Sequence, residues 1–413
     1  MTFGIAKPKP IGSKNGMPVP ERVDDLDRIA FLELMFVSTV PMALKAVALL
    51  DVPEILCKAG EGVLLSAKEI ADCVASENPV NINCLERILR LLASCNVFSE
   101  LVIESEGGQD RRYGLTPICT YFLKDRKGGS LAPYLLLRHD KLLFQSMHHL
   151  HDAVLEVGEP FSQAHGESLF EFLEGHPQEN TLFNNAMSNL SKMYLSSILD
   201  NYTGFNSVKK LIDVGGGTGS GLRMILSRYP CIQGINFDLP HVVASAPQLT
   251  GVTHVAGNMF ECIPCADCIY MKNILHNWND ESCQTILKNC YDALEENGKL
   301  ILVEVLLPSS GDSRQIARIA HSFDVIMMAQ FLGRERTEQE YYNLFISAGF
   351  SDLRVVLFVD CMAVLEAYKY KLPQALKDNS SSGVFLSRSA NYLRNKLYKI
   401  QIEILLKLAD TRL

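Results

Sequence analysis

The stretch "LIDVGGGTGSG", residues 211 to 221, restricts the fold more than any other part of the chain. An apolar run enters a cluster with almost no side chains, which reads as a buried strand ending in a tight turn. Glycine there admits positive φ and lets a ligand approach the main chain closely. The dinucleotide fingerprint G-x-G-x-x-G does not fit, because its sixth position falls on Ser220 counted from Gly215, and on Leu222 counted from Gly217. An acidic residue followed by alternate glycines does fit: Asp213, Gly215, Gly217 and Gly219. That spacing points away from a pyrophosphate and toward a ligand with no phosphate.

From about residue 208 strands alternate with helices. "KLIDV" is followed by the helical "SGLRMILSRYP", then by the strands "GINFD", "VTHVAG" and "DCIYMKN". The helical run "DESCQTILKNCYDALEEN" precedes the strand "GKLILVEVLL", and "LRVVLFVD" with "MAVLEAYK" reads as a closing pair. This order predicts an α/β domain with a doubly wound parallel sheet, whose ligands sit outside the carboxyl ends of the strands. A second capping box, Thr337 to Glu340, opens a helix late in the domain.

The first half is mainly helical. Ser66 and Glu69 form a capping box, "NCLERILRLLASCNVF" places Leu85, Ile88, Leu89 and Leu92 on one face, and "VIESEGGQDRRYGLTP" reads as two strands around a Gly-Gly turn. Helix, helix, hairpin is the order of a winged helix-turn-helix. Glu86 beside Arg87 and Arg90, and a wing mixing Glu104, Glu106 and Asp110 with Arg111 and Arg112, are too acidic for a DNA reader. The net charge of -8 argues the same way, so the module is read as structural or dimerising. "LELMFVSTVPMALKAVALL", residues 32 to 50, has the length of a membrane span but carries Glu33, Pro41 and Lys45, which favours a buried subunit interface. Twelve cysteines without paired spacing, and no signal peptide, favour a reducing, cytoplasmic setting. Cys262, Cys265 and Cys268 stand at two-residue spacings, but a structural zinc wants a fourth ligand, and none is near.

Chemistry collects at the strand ends. Asp238 ends the second strand, where a carboxylate accepts from both hydroxyls of a ribose. Asn258, Met259 and Phe260 follow the third, offering an adenine ring apolar walls and one polar edge. His276 stands just after the fourth strand, Glu304 ends the fifth, and Glu335 lies in the loop before the capped helix. An imidazole between two carboxylates is fixed in tautomer and raised in basicity, as suits a general base acting on a weakly acidic hydroxyl or amine.

From about residue 25 to 370 the chain resembles the plant S-adenosylmethionine-dependent O-methyltransferases of the caffeic-acid type, through "LIDVGGGTG", "GINFDLPHVV", "GNMF", "YMKNILHNW" and "RERTEQE". The resemblance implies a Rossmann-like methyltransferase sheet behind a winged-helix dimerisation domain. It implies S-adenosylmethionine on Gly215, Asp238, Met259 and Lys272, with Asp213, Gly217, Asn258 and Phe260 completing that site. His276 is then the base, flanked by Glu304 and Glu335, with no metal. It also implies a homodimer whose N-terminal part helps close the partner's substrate pocket. The expected division is an arm (1–22), a dimerisation domain (23–150), connecting helices lining the pocket (151–207), the catalytic domain (208–370) and a linker with a basic amphipathic helix (371–413).

Asn258 and Asn277 stand where the family usually has Asp. Leu173 and Leu190 stand where caffeate-type members are polar, with Leu137, Leu169, Phe183, Met187, Phe323, Ile326, Met327 and Phe331 around them. The expected product is therefore a methylated phenol with an apolar body, such as a flavonoid, stilbene, phenylpropanoid or alkaloid-type secondary metabolite. A caffeate-like carboxylate finds little to bind among these pocket residues, so free caffeic acid is expected to be a poor substrate unless Arg138, or a group from the second subunit, supplies the missing charge. An aromatic-amine N-methyltransferase and a non-catalytic dimeric relative are the alternatives.

Overall fold

Ser66 and Glu69 close the expected box: the Ser66 hydroxyl accepts from the Glu69 N–H at 3.2 Å, and the Glu69 carboxylate accepts from the Ser66 N–H at 2.7 Å. In the computed structural model, which describes residues 25–370 apart from 106–107, 125–127, 156–157, 309–311 and 313, this box starts the helix Ala67–Cys73. The next helix, Ile82–Ser94, is capped by Asn81 and buries Leu85, Leu89 and Leu92, with Ile88 half-buried beside them. Strands β1 (Leu65–Ser66), β2 (Phe98–Ser105) and β3 (Gly108–Leu115), ordered β1-β3-β2, complete the winged helix-turn-helix. Arg111 spends its charge on Glu100 at 2.9 Å, and Arg112 on Asp110 at 2.9 Å, so the wing's cations are engaged within the module.

The apolar stretch before it breaks into two helices, Leu26–Phe36 and Thr39–Leu49, bent by 42°. Among the described residues no single helix is long and apolar enough to cross a membrane. The first helix buries no residue against its own chain: Phe31 is 66% exposed and Leu34 72%.

The large sheet comprises β4 (Lys210–Val214), β5 (Gln233–Asp238), β6 (Val252–Ala256), β7 (Ala266–Lys272), β8 (Leu294–Leu307), β9 (Arg336–Thr337), β10 (Asp352–Val359) and β11 (Met362–Tyr368). Its order is β10-β11-β8-β7-β4-β5-β6, with β9 beside the end of β8. Strands β4 to β8 pair in parallel, whereas β11 and β10 add an antiparallel edge. The sheet is therefore mixed rather than wholly parallel, because the closing hairpin is too short to cross over. Alternate residues feed two cores. Ile212, Met271 and Leu302 meet the helices Asp280–Ala293 and Glu338–Ser347, while Leu211, Tyr270 and Val303 meet Pro177–Asn201 and Ser220–Arg228. Strand order reverses at β4, which lies between β5 and β7, and that switch point places the site.

Two boundaries differ from the sequence reading. The helix expected to run through Asn297 ends at Ala293, because Leu294 already pairs with Ala266 of β7. Glu304 does not end its strand: β8 continues to Leu307, held by Val305 against Met362 and Leu306 against Arg336. The arm 1–22 and the extension 371–413 lie outside the described residues.

Candidate active site

After β4 the chain passes through Gly215, Gly217 and Gly219 at φ of 69°, 59° and 76°, a region side chains rarely adopt, and enters the helix Ser220–Arg228. A Cβ on Gly215 would lie 2.3 Å from Ile274, and one on Gly216 2.1 Å from Asn236, so the loop is pressed against the sheet. A Cβ on Gly217 would meet nothing within 4 Å, and that side faces the cavity. At the end of β5, Asp238 accepts from the Gly217 N–H and from the Leu239 N–H, each at 2.7 Å. One bond per oxygen leaves each a lone pair for a ligand hydroxyl. Burial raises the Asp238 pKa against the pull of those two N–H groups. Asp213 is pushed up to about 8 by burial and by neighbouring Asp238, while Lys272 pulls it down. Burial likewise lowers Lys272 to about 8, against the attraction of Glu304 and Asp213. Asn258 caps its own turn, accepting from the Phe260 N–H at 3.0 Å and donating to Glu261 at 3.2 Å. Phe260 meets the Trp278 ring edge-on at 4.8 Å and, with Met259, packs on the core.

His276 sits in the 3-10 turn Leu275–Asn277, buried. Its Nδ1 bonds to Glu335 Oε1 at 2.8 Å and lies 3.6 Å from Glu304 Oε2, which leaves Nε2 for the cavity the ring lines. Glu304 turns its other oxygen to the N–H groups of Ile274 and Leu275, at 2.9 and 2.8 Å. One carboxylate thus holds the ring and the other holds the turn. Burial alone would lower the His276 pKa, but Glu335 and Glu304 outweigh it and the net direction is upward. Burial raises Glu304, and Glu335 adds to this, against the pull of His276 and the two N–H groups.

Sequence reading missed what clamps this turn. Fully buried Arg336 donates to the carbonyls of Leu275 and Trp278 at 3.0 and 2.8 Å and to Asp280 at 2.7 Å. The Arg334 N–H donates to the His276 carbonyl at 2.9 Å, and Asp324 accepts from the Glu335 N–H at 2.9 Å. Gly333 approaches so closely that a Cβ would lie 2.1 Å from the His276 carbonyl oxygen. The only signal was "GRERTEQE" itself, whose glycine and arginines carry no periodicity.

The cavity encloses about 460 Å³. All eight expected cofactor residues line it: Asp213, Gly215, Gly217, Asp238, Asn258, Met259, Phe260 and Lys272. Among the expected substrate residues, Leu137, Leu173, Phe183, Met187, Leu190, Phe323, Met327 and Phe331 line it as well. Two do not. Leu169 is fully buried in a cluster with Phe161 and Leu143, while Phe170 and Leu173 of the same helix reach the cavity. Ile326 is one residue away from Met327, about 100° around a helix whose cavity stripe is Phe323, Met327, Gln330 and Phe331. Glu304 and Glu335 stand behind His276 rather than on the wall. The wall is also more polar than expected, since Asn180, Asn184, Ser188, Gln330 and Arg138 line it. Asn180, Asn184 and Ser188 recur every four residues on Pro177–Asn201, a helical spacing visible in the sequence.

Residues 147–351 match the model of the O-methyltransferase domain, and residues 32–125 match that of the O-methyltransferase dimerisation domain. A caffeic acid 3-O-methyltransferase of Prunus dulcis is 45% identical over 353 residues, covering 85% of this chain and 97% of that protein. A desmethyl-yatein O-methyltransferase of Sinopodophyllum hexandrum is 45% identical over 343 residues, covering 83% and 97%. Among solved structures, CalO1, a methyltransferase of calicheamicin biosynthesis in its SAH-bound form, aligns with a TM-score of 0.69 at 27% identity, covering 84% of this chain and 99% of that one. With a glycine cradle, an acidic strand end and a buried histidine around one cavity, and relatives matched over nearly their whole length, the chain belongs to the plant O-methyltransferases that carry this dimerisation domain.

Proposed function

We propose that the protein methylates a phenolic hydroxyl of a small aromatic secondary metabolite with S-adenosylmethionine as donor. The observation that carries this reading is His276: its Nδ1 is fixed on Glu335 at 2.8 Å, and its ring lines the same cavity as the glycine cradle. The residues present fit the donor. Its methionine end suits the loop Gly215–Gly217 with Asp213 and Lys272, its ribose the free lone pairs of Asp238, and its adenine the apolar wall of Met259 and Phe260 beside Asn258. The SAH-bound structure of CalO1 supports S-adenosylmethionine as the donor. S-adenosylmethionine bound there supplies a methyl group made electrophilic by its sulfonium.

The chain's own residues supply position and a proton acceptor. A phenol ionises near pH 10 and a free imidazole protonates near 6.5, so full deprotonation by the ring is uphill. The carboxylates narrow that gap by raising His276. His276 Nε2 therefore takes the proton as the oxygen is alkylated, and Glu335 stabilises the resulting imidazolium. Phe183, Met187, Phe323 and Phe331 hold the apolar body of the acceptor. The relatives named for caffeic acid and desmethyl-yatein support an aromatic acceptor. The ring nitrogen and carboxylate oxygens of His276, Glu304 and Glu335 lie within 4.8 Å of one another, a set that could also hold an ion, but the reading needs none. In this reading residues 23–150 pair two copies and lend Leu137 and Arg138 to the pocket, 151–207 line it further, and 208–370 hold the donor and add Phe323, Met327 and Phe331.

The test is incubation with labelled S-adenosylmethionine and a panel of phenols and aromatic amines, with and without a chelator, read by mass spectrometry. Methylated phenols in both conditions are expected. A preference for amines replaces the oxygen assignment, and loss of turnover with chelator overturns the metal-free base.

A further inference from the structure

Arg138 closes the helix Ala132–Arg138 and lines the cavity beside Leu137 and Tyr134. Its Nη1 is buried without a hydrogen-bond partner, and among the described residues no ion pair reaches the guanidinium. By contrast, among the described residues buried Arg336 has Asp280 and two carbonyls, and half-buried Lys299 and Lys272 have Glu366 and the field of Glu304 and Asp213 respectively. Among the described residues no carboxylate of the site pairs with it: Glu335 bonds His276, Glu304 the turn and Asp238 the glycine loop, Asp213 faces Lys272, and the spare buried oxygens of Glu304 and Glu335 have no hydrogen-bond partner of their own. Burial depresses Arg138, and only Tyr134, one helical turn away, counters it. A guanidinium taken out of water without a counter-charge is costly, and its planar fork matches an anionic oxygen better than any neutral group.

We propose that Arg138 is a specificity determinant: it takes an anionic oxygen that the substrate carries besides the hydroxyl to be methylated, so that acidic phenols are favoured. The inference rests on the O-methyltransferase reading and adds the substrate class. Leu173 and Leu190 then pack against the aromatic body, and Arg138 supplies the charge that those leucines cannot. The anion is either a side-chain carboxylate or an ionised ring hydroxyl.

Two matched pairs separate these sources. One is caffeic acid and its methyl ester; the other is a polyphenol with an acidic ring hydroxyl and the same compound with that hydroxyl masked as a methyl ether. Each is measured with the full-length wild type, Arg138→Gln and Arg138→Lys, as kcat/KM and as calorimetric affinity for the S-adenosylhomocysteine complex. In the wild type the anionic member of at least one pair wins by roughly tenfold or more, as a charge-assisted hydrogen bond provides. That ratio falls toward one in Arg138→Gln and persists in part in Arg138→Lys. The pair that discriminates identifies the anion. A wild-type ratio near one in both pairs, or a ratio that survives Arg138→Gln, overturns the proposal. If the glutamine variant does not fold, the wild-type ratios and the lysine variant decide. Discrimination in binding without any methyl transfer sinks the O-methyltransferase reading and leaves the role of Arg138 standing; transfer without discrimination does the reverse.

Discussion

His276→Ala is expected to lower turnover by roughly 10²–10⁴-fold, the usual cost of losing a general base. Affinity for S-adenosylhomocysteine, measured by calorimetry, should change little, because the glycine cradle and Asp238 stand on other strand ends. Near-normal turnover would give the proton another exit and leave positioning to carry the reaction. The two carboxylates behind the ring separate by pH. Glu335 raises the His276 pKa and bonds Nδ1, so Glu335→Gln removes charge, lowers that pKa and moves the acid limb of kcat/KM to lower pH. Glu304→Gln moves the limb less, since its nearer oxygen is 3.6 Å away and its other oxygen holds backbone N–H groups. A limb that stays in place in both variants means that His276 is not the group that titrates. The trio was legible in the sequence because His276 and Glu335 stand next to regular elements and Glu304 lies near the carboxyl end of its strand, although that strand runs on to Leu307. Which carboxylate takes the ring was not legible, because that depends on a difference between 2.8 and 3.6 Å fixed by long-range packing.

That packing comes from one segment, Gly333 to Arg336, lying across the His276 turn. Gly333→Ala tests it, since the added Cβ would press on the His276 carbonyl oxygen, a backbone atom unable to swing aside. Either the turn or the segment must shift, and a displacement of about 1 Å in catalytic groups costs on the order of 10²-fold in rate. Turnover should therefore fall at least tenfold with cofactor affinity kept, whereas a wild-type rate would show that the clamp yields without moving the base. Elements with strong periodicity were readable from sequence: both capping boxes, strands β4 to β7, and the amphipathic Ile82–Ser94 stand where the pattern put them. Pattern failed where partners decide. The helix Asp280–Ala293 yields to β8 because a neighbouring strand claims Leu294, and Leu169 and Ile326 leave the cavity because of helical phase relative to their neighbours.

A single copy of the chain leaves much apolar surface uncovered at one end. Leu26, Phe31, Leu34, Met35 and Phe36 all lie exposed on the helix Leu26–Phe36, which has no buried residue, and this helix adjoins and enters the stretch matched by the dimerisation model. Burying a Phe or Leu side chain contributes about 1.5–3 kcal/mol, so five such residues offered twice across a two-fold axis supply ample driving force for association. Helical phase puts Phe31 and Leu34 three residues apart, on neighbouring positions of one face. Replacing both by aspartate sets like charges against each other across an isologous contact, where each must be desolvated. The double variant Phe31→Asp, Leu34→Asp is therefore expected to run as a monomer in light scattering at concentrations where the wild type is a dimer. Because the family resemblance implies that the N-terminal part of one copy helps close the other's pocket, turnover is expected to fall with the loss of the dimer and recover as rising protein concentration restores it. A variant that remains dimeric moves the interface to another surface. One that is monomeric yet fully active shows that each pocket is complete within its own chain.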